Sequence, residues 1–108
     1  MQRYYYERRG LPRMSVSCDA RYRVDGEAQR SSAEVLDLSG SGLLLEGERE
    51  LPVGSRLFVE IRPGTPLTPP LHLLAEVLRC EPDAEGVHRL ACAIDEQLLA
   101  DEIPPDFP

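Results

Sequence analysis

Two stretches in this sequence have residue types that could do chemistry: Arg8, Arg9 and Arg13 near the start, which suit an anionic or flat ligand, and the turn that carries Asp37, Ser39 and Gly42. A guanidinium is a planar fork that pairs bidentately with phosphate and stacks on flat rings, which a lysine ammonium cannot do. All 12 basic side chains are arginine. Gly10 is a poor helix former and Pro12 disfavours helical backbone at Leu11, so residues 7–14 are expected to form an extended or turning loop. In extended backbone Arg9 and Arg13 lie about 13 Å apart, a span that suits a ligand with two separated anionic or flat groups. If strand conformation persists through Ser39, Asp37 and Ser39 point to one side, and Gly40 and Gly42 let the chain turn sharply beside them. Taken alone, Asp37-Leu38-Ser39-Gly40-Ser41-Gly42 is also ordinary turn chemistry.

The elements that must position these residues read as strands. Val16, Cys18, Ala20, Tyr22 and Val24 alternate with polar neighbours, a period of two that marks a half-buried strand, and Asp25-Gly26 supplies a turn. A second strand is expected from Arg30 to Leu38. Ala33 and Val35 fall on one face and Leu36 and Leu38 on the other, a change of phase that implies a bulge or burial on both faces. After Leu43, Leu44 and Leu45 come a Pro52-Val53-Gly54 turn and a strand through Leu57, Val59 and Ile61, ended by Pro63-Gly64. Pro66, Pro69 and Pro70 make a stiff loop. Residues 71–80 are apolar on both faces and are expected to be the most buried strand. Residues 83–86 form a hairpin turn, and Leu90, Cys92 and Ile94 mark the last strand. Residues 95–102 are expected to form a short helix capped by Asp95, with Leu98, Leu99 and Ile103 docking on the rest. No internal repeat is visible.

At 108 residues the chain is the size of one domain. Its net charge of −7 opposes broad binding to nucleic-acid polymers or anionic membranes. The distribution is uneven: residues 1–23 carry six arginines against two acids, or +4, and the remainder six arginines against seventeen acids, or −11. The arginines at the start therefore sit on an acidic body, where they could equally stay solvated. Tyr4, Tyr5 and Tyr6 either pack on the domain or stack on a bound base. The five acids from Asp95 onward, with no base among them, read as a solubilising or interacting tail. Cys18, Cys80 and Cys92 are odd in number and widely spaced, which suggests neither a disulfide framework nor a zinc site but core thiols in a reducing compartment. There is no apolar run of a signal peptide or membrane span, so a cytoplasmic protein without membrane insertion is expected.

Arg9-x-x-x-Arg13 followed 24 positions later by Asp37-x-Ser39-x-x-Gly42, with one strand and one turn between, resembles the PilZ domain family over nearly the whole chain. The resemblance implies a mainly β fold: a six-stranded antiparallel barrel over residues 15–108 with a short C-terminal helix, preceded by a flexible arginine-rich arm over residues 1–14. It implies a receptor for the bacterial second messenger cyclic di-GMP that signals to a downstream protein. Arg9 and Arg13 would hold phosphate and guanine edges, Asp37 and Ser39 would line the barrel surface, and Gly42 would keep the turn open. Arg8, directly before the motif, implies binding of an intercalated ligand dimer. Family members often carry a glycine and a phenylalanine in the final strand, where Ala91 and Ile94 stand here, a departure that touches packing.

Cyclic di-GMP offers ionised phosphodiesters and guanines whose N7 and O6 accept from an arginine fork and whose N1 and N2 donate to a carboxylate, an inventory that arginines and one aspartate can meet. The same residues give an enzyme little support. His72 and His88 lack partners at metal-ligand spacing, so neither a metal nor another cofactor is expected, and Ser39 has no nucleophile elbow or assignable base. The rival of a different class is a PilZ-like adaptor that binds no nucleotide; such proteins typically lack the arginine motif kept here. A small barrel for single-stranded nucleic acid is opposed by the net charge and the scarcity of aromatics on the strands.

Overall fold

In a computed structural model, residues 14–64 and 69–108 are described, with side chains from residue 18 onward in the first strand. Six strands are present among them: β1 (Met14–Val24), β2 (Arg30–Leu38), β3 (Gly42–Gly47), β4 (Arg56–Arg62), β5 (Leu71–Pro82) and β6 (His88–Gln97). All pairings are antiparallel, and the spatial order β1-β2-β3-β6-β5-β4 closes on itself because β1 also pairs with β4.

Alternation dictates which face each residue serves. Ala20 and Tyr22 of β1, Val35 of β2, Leu43 and Leu45 of β3, Leu57, Val59 and Ile61 of β4, Leu73, Ala75 and Val77 of β5, and Leu90 and Cys92 of β6 all point inward and are buried together. Removing these apolar side chains from water is the main force closing the barrel. Hairpin turns occur where the residue types demand them: Gly26 and Gly86 take positive φ, 93° and 75°, a conformation that costs an L side chain but not glycine.

Three features differ from expectation. The most buried strand is β4, with Leu57, Val59, Glu60 and Ile61 all buried; on β5 the second apolar row opens to solvent, Leu78 being 52% exposed. The expected C-terminal helix is reduced to a single 3-10 turn, Ala100–Glu102. Residues 95–97 stay in β6 because Glu96 and Gln97 pair with Leu74 and Leu73 of β5, and the Leu98 amide donates to the His72 carbonyl at 2.8 Å. Backbone pairing along an existing strand thus outcompetes an isolated short helix, which is marginal in water. Finally, the acidic tail is anchored: Phe107 packs edge-on against Phe58 and His72, with centroids 6.1 and 5.3 Å away. The Arg23 guanidinium lies 4.5 Å from the Phe58 centroid and donates to the Pro108 carbonyl at 3.0 Å, and Arg30 donates to the Asp106 carbonyl.

Candidate functional site

Two bulges set the geometry of the outer surface. On β2, Val35 pairs with Leu45 and Asp37 with Leu44, so Leu36 is an extra residue with no opposite number on β3. Without it, strict alternation from the buried Val35 would return Asp37 to the core; with it, Asp37 emerges on the outer face and Leu38 packs against the core instead. The change of phase legible between Val35 and Leu36 is this bulge. On β5 the same device recurs: Val77 pairs with Cys92 and Arg79 with Ala91, leaving Leu78 extra and turning Arg79 outward.

Leu44 in turn pairs with Ala91. The outer face therefore carries one cross-strand row, Asp37–Leu44–Ala91–Arg79, that runs over β2, β3, β6 and β5. Three strand spacings of about 4.8 Å put its two ends roughly 14 Å apart along the sheet. Asp37, Leu44 and Ala91 are half-buried and Arg79 is exposed, the latter held among the described residues only by a loose 3.9 Å pair with Glu81 in which both side chains are more than 60% exposed. Such exposed pairs contribute little.

At the end of β2 the chain turns back into β3. The Ser39 amide donates to the Gly42 carbonyl at 2.9 Å, and the Gly42 amide donates to Ser39 Oγ at 3.1 Å. Gly42 is not at positive φ. Its role is one of space: a Cβ there would come to 3.6 Å from both Ser39 Oγ and the Cys92 carbonyl, filling the corner of a cleft without a clash. That cleft, with a volume of about 290 Å³, is lined by Asp37, Ser39 and Gly42 together with Leu43, Leu44, Arg79, Ala91 and Cys92. Asp37, Ser39 and Gly42 thus line one cleft. Arg8, Arg9 and Arg13 lie outside the described residues, as do Tyr4, Tyr5 and Tyr6. Met14, which follows Arg13 in the sequence, pairs with Leu38, and Ser15 pairs with Asp37, so β1 starts beside the cleft.

Arg79 escaped the sequence reading. Its signal was the adjacent apolar pair Val77-Leu78, where a change of phase hides because both residues are hydrophobic.

A second polar cluster lies elsewhere on the outer face. Glu60 is 8% exposed and receives Arg21 at 2.9 Å, Arg62 at 3.4 Å and His72 Nε2 at 3.4 Å. Burial pushes its carboxyl up, but the hydrogen bond from Arg21 and the charges of Arg62 and Arg21 outweigh that and hold it below the ordinary carboxylate value. Every member is engaged within the protein, which makes this a structural knot under the anchored tail. Among the described residues no group of three or more His, Cys, Asp or Glu side chains could hold a metal ion, and no helix is long and apolar enough to cross a membrane.

The family model described as PilZ domain matches residues 3–103. No curated protein matches the chain. Among solved structures, the Bacillus subtilis inhibitor of motility MotI/DgrA is similar at a TM-score of 0.68 and 18% identity, over 90% of this chain and 47% of that one, so the chain spans about half of that protein's length. The PilZ domain of YcgR from Escherichia coli, solved with c-di-GMP, is similar at a TM-score of 0.59 and 18% identity, over 83% of this chain and 79% of that one.

Proposed function

The chain belongs to the PilZ domain family, and from that premise we propose that it is a bacterial, cytoplasmic receptor for cyclic di-GMP. The observation that carries this reading is the single cleft that gathers Asp37, Ser39 and Gly42 beside the start of β1, the strand that the arginine motif leads into. The solved neighbour YcgR, whose PilZ domain holds c-di-GMP, supports the choice of ligand.

In this reading Asp37 accepts from guanine N1 and N2, Ser39 contributes its hydroxyl at the cleft edge, and Gly42 leaves room for the ligand backbone. Arg9 and Arg13 bring forks to phosphate oxygens and to guanine O6 and N7, and Arg8 adds contacts to a second, intercalated ligand molecule. These contacts order the arm that precedes β1 against the barrel and change the surface shown to a downstream protein. The protein does no chemistry on the ligand; its output is a change of shape.

Titration calorimetry with cyclic di-GMP, with cyclic di-AMP and GMP as controls, tests the proposal. Saturable binding in the micromolar range or tighter, lost in Arg9→Ala, is expected, with a stoichiometry near two ligands per chain. Absence of binding would move the protein to the nucleotide-free adaptor class.

A further inference from the structure

We propose that Arg79 is a ligand-contact residue of this cleft, reading the O6 and N7 edge of a guanine at the end of the row opposite Asp37; the inference rests on the cyclic di-GMP reading above. Three observations carry it. Arg79 lines the same cleft as Asp37, Ser39 and Gly42. A bulge at Leu78 takes it out of the core phase in which Leu73, Ala75 and Val77 lie, as the bulge at Leu36 does for Asp37, so both ends of the row depend on the same irregularity. Bulges of this kind re-aim side chains beside binding sites. Among the described residues its guanidinium pairs with nothing stronger than the exposed 3.9 Å contact with Glu81, so a ligand can recruit it at small cost.

The floor between the ends decides which part of the ligand lies there. Leu44 and Ala91 are apolar and half-buried, and Ala91 is small. A flat purine can rest on that surface and shed water from it, whereas a phosphate laid there would lose hydration without gaining a donor. A base resting between a carboxylate and a guanidinium has donors for one and acceptors for the other: N1 and N2 face Asp37 or its solvent, and O6 and N7 face the arginine fork. Arg79 thereby complements Asp37 in selecting guanine, because adenine presents a donor where guanine presents O6.

The test is calorimetry of the full chain with cyclic di-GMP and with its 7-deaza-guanine analogue, on the parent, Arg79→Ala and Arg79→Lys. Arg79 is exposed, so neither substitution should alter thermal unfolding. Arg79→Ala is expected to weaken cyclic di-GMP binding roughly tenfold or more, with Arg79→Lys recovering part of the loss because an ammonium also donates to O6 and N7 but lacks the planar fork. The 7-deaza analogue should bind the parent less tightly than cyclic di-GMP, by a margin that shrinks in Arg79→Ala. Parental affinity in Arg79→Ala or an undiminished margin overturns the assignment while leaving the receptor reading intact. A parent that binds no cyclic di-GMP overturns both.

Discussion

Asp37 and Arg79, far apart in sequence, occupy opposite ends of one cross-strand row, and each reaches the surface only because a single extra residue, Leu36 or Leu78, breaks the alternation of its strand. Both polar ends of the row are thus presented at irregularities of strands whose neighbouring residues pack in the core. That separation lets affinity and stability be altered independently, and the variants below exploit it.

Asp37→Ala should weaken cyclic di-GMP binding by about tenfold or more, since charge-assisted hydrogen bonds to a carboxylate contribute roughly 1.5–3 kcal/mol. Arg9→Ala and Arg13→Ala should do the same. If calorimetry finds parental affinity in all three, the proposed site is wrong.

Gly42→Ala separates space from stability. The new methyl would meet Ser39 Oγ and the Cys92 carbonyl at ordinary contact distance, 3.6 Å, so the midpoint of thermal unfolding should barely move. Ligand affinity should fall, because the methyl fills the corner of the cleft. Larger side chains such as valine should deepen the loss.

The Glu60 knot predicts a pH dependence. A carboxyl held below its ordinary value of 4.5 contributes stability that is present above that pH and is lost as the pH falls through its lowered value in the folded protein. Chemical unfolding from pH 7 down to about pH 3 should show stability declining at the acid end, and Glu60→Gln should flatten part of that decline while lowering stability at pH 7. The cations facing the carboxylate are Arg21, Arg62 and, when protonated, His72.

Phe107→Ala should lower stability by about 1–2 kcal/mol, because the half-buried ring packs on Phe58 and His72 and covers part of the outer face of β4 and β5. For a domain of this size that corresponds to a fall in Tm of roughly 4–8 °C per kcal/mol in differential scanning calorimetry. Ligand affinity should be unaffected, since the tail does not line the cleft.

Cys92 is 3% exposed and burial, assisted by the nearby Cys80, pushes its thiol up to about 12. The thiolate is the reactive form. Alkylation of the folded protein at pH 8, followed by peptide mapping, should label the half-buried Cys18 and Cys80 well before Cys92, and unfolding should remove the difference.

Strands were legible wherever one face is apolar and the other polar, as in Ala20 and Tyr22 against Arg21 and Arg23. The β2 bulge was legible for a related reason: Val35 and Leu36 are adjacent apolar residues followed by Asp37, a polar residue on what had been the core phase. The β5 bulge left no comparable trace, since residues 71–78 are rich in leucine on both faces. The C-terminal helix was misread because Leu98, Leu99 and Ile103 have helical spacing, whereas Leu99 is 63% exposed and the preceding residues follow their partners on β5. Local periodicity cannot register a pairing opportunity offered by a distant strand. Nor could the acidic tail be seen to be anchored, because its partners Arg23, Arg30 and Phe58 are scattered through the chain.

Each of the six strands is hydrogen-bonded to a neighbour on both sides. Over the closed part of the barrel, among the described residues, a binding protein therefore has little unpaired backbone to extend by adding a strand. Recognition of that closed surface goes through side chains, and an encounter that depends on side chains is one that a small ligand, by rearranging a few arginines, can switch.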